Sequence, residues 1–176
     1  RTAVRLREAL FSPRAVALVG ASADASKLTA RPQRVLSGHG YQGRIIPVNP
    51  GRAEIFGEKA WPDLRSAPGP IDHAFIMVPA AAVQQVVAQC CECNIPVATI
   101  FSAGFAELGE EGLARQREMV RMARAAGLRL LGPNCMGIMS VREGAMLTVN
   151  AVLEQERLIP GALGAPGAEE RLLGEP

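Results

Sequence analysis

Five apolar runs in this chain each stop at a short stretch of small or turn-forming residues. The stops are Val19-Gly20-Ala21-Ser22, Val48-Asn49-Pro50-Gly51-Arg52, Val78-Pro79-Ala80, Ser102-Ala103-Gly104-Phe105-Ala106-Glu107 and Gly132-Pro133-Asn134-Cys135-Met136-Gly137. A continuous apolar run, without polar alternation, is the mark of a strand covered on both faces, and such strands belong to parallel sheets flanked by helices. Parallel strands place all their exit loops on one edge, and in open α/β sheets that edge takes the ligand. The spacing therefore predicts a doubly wound, mainly parallel Rossmann-like α/β sheet, with the five stops outlining one site.

The segments between the runs fit this architecture. Val4–Leu10 reads as a lead-in helix stopped by Ser12-Pro13, and Ala15–Val19 as the first strand. A helix over about Thr29–Ser37 and a strand over Arg44–Val48 complete a βαβ unit. After a linking stretch with Gly57, Pro62, Pro68, Gly69 and Pro70 come a third strand over Ile71–Val78, a helix over Ala80–Cys91 and a fourth strand over Ile95–Phe101. Glu110–Ala126 is the longest expected helix, ended by Gly127; Leu128–Leu131 is a fifth strand and Gly137–Val141 a short sixth. One Rossmann-like domain is expected over 1–160, and 161–176, where the apolar rhythm fails, reads as a disordered tail.

Composition excludes several classes of partner. The net charge is only +2 across 176 residues, and its cations are scattered among acids, so no nucleic-acid or membrane surface is expected and any anion site must be local. No stretch approaches the length of an apolar span and no signal-peptide core is present, so the expected location is cytoplasmic. Three of the four cysteines form Cys90-Cys91-Glu92-Cys93. That spacing is not a zinc pattern, and no metal site is expected.

The loop Gly20-Ala21-Ser22-Ala23-Asp24-Ala25-Ser26-Lys27 offers backbone N–H groups and hydroxyls at the start of the next helix, where a phosphate binds. It contains one glycine of the dinucleotide fingerprint, not three. An NAD site places a carboxylate at the end of the second strand; here Asn49-Pro50-Gly51-Arg52 stands instead. An arginine there suits a ribose bearing an extra phosphate, which leaves NADP or coenzyme A.

Gly20-Ala21-Ser22, Pro47-Val48-Asn49-Pro50, Val78-Pro79-Ala80, Ser102–Glu107 with Gly109-Glu110-Glu111-Gly112, and Gly132–Gly137 together resemble, in collinear order over about residues 8–160, the N-terminal CoA-binding domain of NDP-forming acyl-CoA synthetases. These include ADP-forming acetate–CoA ligases and relatives of the succinyl-CoA synthetase alpha subunit. The resemblance implies that Gly20, Ala21, Ser22, Ala23 and Lys27 hold the CoA phosphates, with Ser22 as a hydroxyl donor. It implies that Asn49, Pro50 and Arg52 face the nucleotide, and that Val78, Pro79 and Ala80 line the adenosine side. Phe101, Ser102 and Ala103 would run toward pantetheine, and Asn134 and Cys135 would lie near the thiol end, Cys135 as lining.

The chain departs from the family where Lys27-Leu28-Thr29-Ala30-Arg31-Pro32 lacks a further glycine; Lys27 or Arg31 would then supply charge in place of close backbone approach. The family's phosphorylated histidine lies in a downstream domain, and neither His39 nor His73 matches it. The resemblance thus implies a CoA or acyl-CoA binding unit, truncated before that domain and binding without turnover. Its partners would be the remaining domains or subunit, which would also hold the NTP and magnesium. The rival readings are a stand-alone CoA-sensing module and an NAD(P)-dependent oxidoreductase domain.

Overall fold

A computed structural model of the chain describes residues 2–154; the expected tail over 161–176, and 155–160 of the expected domain, lie outside them. The elements run α1 (Thr2–Phe11), β1 (Ala15–Val19), α2 (Arg31–Gly38), β2 (Arg44–Val48), β3 (Glu54–Ile55), β4 (Glu58–Lys59), β5 (His73–Ile76), α3 (Ala80–Glu92), β6 (Val97–Ile100), α4 (Glu110–Ala125), β7 (Arg129–Leu131), β8 (Gly137–Ser140) and β9 (Ala145–Thr148). Short 3₁₀ turns at Leu28–Ala30, Ala106–Leu108 and Ala151–Glu154 complete the described chain.

Five strands form one parallel sheet in the order β2-β1-β5-β6-β7. The chain winds one way from β1 to β2 and the other way from β5 onward, so the topological switch lies between β1 and β5. At that point the exit loops diverge and leave a crevice.

Alternation along the strands sorts the core into two layers. Val16, Leu18 and Phe75 face a cluster with Leu36, Ile55, Ala60, Leu147 and Val149, beneath α2 and the β9 strand. Ala15, Ala17, Val19, Ala74 and Ile76 face the other side, where Val83, Val87, Met119 and Ala123 pack from α3 and α4. Both layers are closed, so β1, β5 and β6 are each buried along their whole length, with His73 and Thr99 the two polar residues among them.

The expected strands are present but shorter at their ends: the third keeps His73–Ile76 of Ile71–Val78, and the fourth Val97–Ile100 of Ile95–Phe101. The outer residues leave the ladder to enter loops. The expected sixth strand is present as β8, but it does not extend the sheet. It pairs antiparallel with β9 in a separate hairpin that packs on α2. The linking stretch contains a second small hairpin, β3–β4, which the sequence reading treats as loop.

The amino edge of the sheet is tightly tied. His73 is fully buried; its Nδ1–H donates to the Ala9 carbonyl at 3.0 Å, and its Nε2 accepts from the Thr99 hydroxyl at 2.8 Å. A carbonyl only accepts, so these partners define the neutral Nδ1–H tautomer. Burial depresses the ring's pKa from 6.5 to about 4. The Tyr41 hydroxyl donates to the Pro13 carbonyl at 2.6 Å, and the Arg14 N–H donates to Asp72 at 2.8 Å.

Candidate functional site

All five sequence-read stops lie at the carboxyl edge, and hydrogen bonds stitch them to one another. The Asn49 amide donates to the Ala21 carbonyl at 2.9 Å, joining the first two loops. The Ser102 hydroxyl donates to the Val78 carbonyl, joining the third and fourth, and the Asn134 N–H donates to the Ser102 carbonyl at 3.0 Å, joining the fourth and fifth. Between the first and third loops the join is steric. Gly20 has φ +87, and a Cβ there would stand 2.9 Å from the Met77 carbonyl oxygen and 3.2 Å from Val78 Cγ1. Only glycine allows the β1 exit to press against the β5 exit at the switch point. Gly104 plays the same part between the fourth loop and α3: its φ is +104, and its Cβ would meet that of Ala80 at 2.9 Å.

These contacts divide the expected site residues by what they have to offer. Ala21 is buried and its carbonyl is taken by Asn49, whose side-chain oxygen in turn accepts from the Gly51 N–H at 2.8 Å. Ser102 is buried, and Val78 and Phe101 pack against the two core layers. These residues are tied into the loops and the core. Ala23, Lys27, Pro50, Arg52, Pro79, Ala103 and Asn134 are exposed, while Ser22, Ala80 and Cys135 are half-buried.

The phosphate loop is held by its own side chains. Ser22 Oγ accepts from the Asp24 N–H at 3.1 Å, and Asp24 Oδ1 accepts from the N–H and hydroxyl of Ser26 at 3.0 and 2.6 Å. These bonds lower the Asp24 carboxyl below its ordinary range. The Ser22 hydroxyl donates no hydrogen bond among the described residues, and Lys27, at the start of the next turn, makes no side-chain cap bond. The Glu107 carboxylate closes the fourth loop by accepting from the Gly104 N–H at 2.5 Å, and backbone donors hold it below the usual carboxylate range. Its side chain thus completes the turn.

Arg31 does not supply charge to this loop. Its guanidinium donates to the Val149 carbonyl at 2.7 Å and to Glu154 at 3.0 Å, because the chain after β9 folds back over α2. Arg34, one turn along, bridges the same Glu154 at 3.4 Å and the Ala25 carbonyl at 3.2 Å. Arg52 is different: among the described residues its guanidinium has neither a hydrogen bond nor an ion pair. It remains available at the end of β2.

The sequence reading passed over two residues beside Arg52. Trp61 continues the sheet next to β2: its N–H donates to the Pro47 carbonyl at 3.0 Å, and the Asn49 N–H donates to the Trp61 carbonyl at 2.8 Å. The Lys59 ammonium lies 4.1 Å from the centre of the Trp61 ring. On the other side of this arm, Gln33 of α2, itself buried, donates to the Ile55 carbonyl at 2.7 Å and anchors the β3–β4 hairpin. The cue in the sequence was the pair of aromatic and basic residues two apart, Lys59 and Trp61, just before Pro62.

Neither histidine of the chain is at this edge. His73 begins β5 and His39 follows α2, both at the amino side, and His39 Nε2 donates to the Leu153 carbonyl at 2.7 Å.

A glycine-tightened crevice at the β1/β5 switch, with a cation rather than a carboxylate at the end of β2, is a nucleotide-binding geometry. The sequence profile described as "CoA binding domain" matches residues 14–140, which include all five loops. This chain belongs to the CoA-binding domain family.

The relatives it matches are much longer proteins. It is 41% identical over 160 residues to the acetate–CoA ligase (ADP-forming) I subunit alpha of Pyrococcus furiosus, covering 89% of this chain and 34% of that one. With the II subunit alpha of the same organism the identity is 38% over 160 residues, covering 88% and 35%. A solved structure of a dinucleotide-forming acetyl-coenzyme A synthetase 1 from Ca. Korarchaeum cryptofilum, in complex with phosphate and ADP, superposes with a TM-score of 0.80 at 33% identity, over 88% of this chain and 32% of that one. The CoA-binding chain described here thus spans about a third of the length of these relatives. No helix among the described residues is long and apolar enough to cross a membrane.

Proposed function

We propose that this chain is the CoA-binding part of an ADP-forming acyl-CoA synthetase, and that CoA lies along the carboxyl edge with its nucleotide at the β1, β2 and β5 exits. The observation that carries this reading is Arg52: an exposed cation without a side-chain partner among the described residues, standing where an NAD site needs a carboxylate. In this pose the Gly20–Lys27 loop faces the diphosphate, with the Ser22 hydroxyl and the Lys27 ammonium as donors. Arg52 takes the 3′-phosphate through charge-assisted bonds. Val78, Pro79 and Ala80 flank the adenosine, and the pantetheine arm passes Phe101, Ser102 and Ala103 toward Asn134 and Cys135.

The chemistry assigned to the whole enzyme is the exchange of an acid, CoA and a nucleoside triphosphate for acyl-CoA, the diphosphate and phosphate. This domain's share is to hold and aim the thiol. Its two histidines sit at the opposite edge, so any phosphohistidine step uses a residue from elsewhere in the assembly, as do the nucleoside triphosphate and magnesium. The Cys135 thiol is 3.8 Å from the Gly137 carbonyl and bonds to no base among the described residues, which fits lining rather than nucleophilic attack.

Thermal unfolding of the chain with CoA, dephospho-CoA, NAD and NADP in parallel tests this. A ligand at 100 times its Kd adds about 2.7 kcal/mol to the folded state, so CoA is expected to raise the midpoint clearly, and dephospho-CoA less. In Arg52→Ala the two CoA forms are expected to converge. Stabilisation by NADP or NAD alone would overturn the reading in favour of a dehydrogenase domain.

A further inference from the structure

We propose that Lys59 is a second cation for the nucleotide's ribose phosphate, held beside Arg52 by the ring of Trp61. The inference deepens the CoA reading above and rests on it. The chain between Asn49 and Trp61 leaves β2 and returns to it, and the return is closed by the Asn49 N–H bond to the Trp61 carbonyl. Within this arm Glu54 pairs with Lys59, and the Ala60 N–H donates to the Ala53 carbonyl at 2.8 Å. That bond joins the stretch that carries Arg52, next to Ala53, to the stretch that carries Lys59 and Trp61 on either side of Ala60, while Trp61 itself pairs with Val48 of β2. Alternation turns Ile55 and Ala60, both buried, into the core beneath α2, and turns Lys59 and Trp61 to the other face.

Both cations of the arm are therefore anchored at the mouth of β2 by different means. Arg52 follows a tight turn, its N–H donating to the Asn49 carbonyl at 3.4 Å. Lys59 is fixed at its charged end, because the ammonium sits on the π face of a ring that is itself built into the sheet edge. Neither has a carboxylate within ion-pair distance among the described residues, although Glu54 stands across the ladder from Lys59. An ordinary surface lysine loses side-chain entropy when it meets a phosphate; this one is already placed. The Gln33 bond to the Ile55 carbonyl ties the arm to α2.

Titration calorimetry with CoA and dephospho-CoA on the full chain, Lys59→Met, Lys59→Arg and Arg52→Ala tests the assignment. Lys59→Met keeps most of the apolar stem and is expected to weaken CoA by about three- to tenfold while leaving dephospho-CoA unchanged. Lys59→Arg, which retains the charge and the ring contact, is expected to restore most of the affinity. CoA affinity equal to wild type in Lys59→Met, with Arg52→Ala still losing its preference for CoA, would overturn the proposal and leave the CoA reading standing. An equal loss for both ligands would assign Lys59 a structural role and also overturn it. If the unmodified chain binds CoA and dephospho-CoA alike, the phosphate assignment at β2 fails altogether.

Discussion

Both edges of the sheet carry polar residues, and they use them in different ways. At the amino edge His73, Tyr41 and the Arg14 N–H each find a protein partner, so burial there is matched by hydrogen bonding. At the carboxyl edge Ser102 and the part-buried amide of Asn49 stitch loops together, while the side chains of Ser22, Lys27, Arg52 and Lys59 donate no hydrogen bond among the described residues. A satisfied polar group holds the fold. A placed but unpartnered cation is what a phosphate binds. Unpartnered cations alone do not separate the edges, since Arg129 at the start of β7 also lacks a side-chain partner among the described residues; what sets Arg52 apart is its place at the end of β2.

The largest test of this contrast is His73→Ala. It leaves a cavity and strands the Thr99 hydroxyl and Ala9 carbonyl, so a loss of about 3 kcal/mol is expected in denaturant unfolding, with little change in CoA affinity of the folded chain. Acid titration of the unmodified chain follows closely. Above pH 6.5 the ring is neutral folded and unfolded, and its contribution is constant. Between 6.5 and about 4 the unfolded chain takes up a proton that the folded one refuses, so stability is expected to fall by about 3 kcal/mol and then level off. A flat profile for this component would mean that His73 is not held neutral.

Gly104→Ala is next, at about 1–2 kcal/mol, since it combines a positive φ with a close approach to Ala80. Unlike His73→Ala it is expected to weaken CoA as well, because it moves two rim loops apart. Arg52→Ala is expected to leave the unfolding midpoint of the apo chain unchanged while lowering CoA affinity, the reverse of His73→Ala. Asp24→Asn is the mildest: it keeps the turn made with Ser26, removes a negative charge from the phosphate loop, and is expected to tighten CoA by about two- to fivefold at low salt. Calorimetry at two salt concentrations separates this from a structural change.

Much of the fold was legible because burial on both faces writes an unmistakable pattern. Ala15–Val19 and the segment around Phe75 admit few alternatives to buried parallel strands, and the five loops follow from where those runs stop. The ends of strands were less legible, since Ile71, Met77 and Phe101 are apolar in loops as well as in ladders. The site residues were named from position and family resemblance; whether each contributes a side chain, a backbone group or only a wall was not in the sequence.

The sequence by itself determined the class of sheet, the edge that carries the site and the cation at the end of β2, because these depend on local runs and on the residues that end them. Tertiary structure alone decided the rest. The β3–β4 and β8–β9 hairpins are too short for periodicity to reveal, and the second folds back only because α2 offers it an apolar face. That same folding brings Val149 and Glu154 to Arg31 and removes Arg31 from the phosphate loop, whereas Trp61 reaches back to β2 and places Lys59 beside it. Nothing local in the sequence tells the surroundings of these two cations apart; their partners, more than a hundred residues away for Arg31 and two for Lys59, are set by the fold.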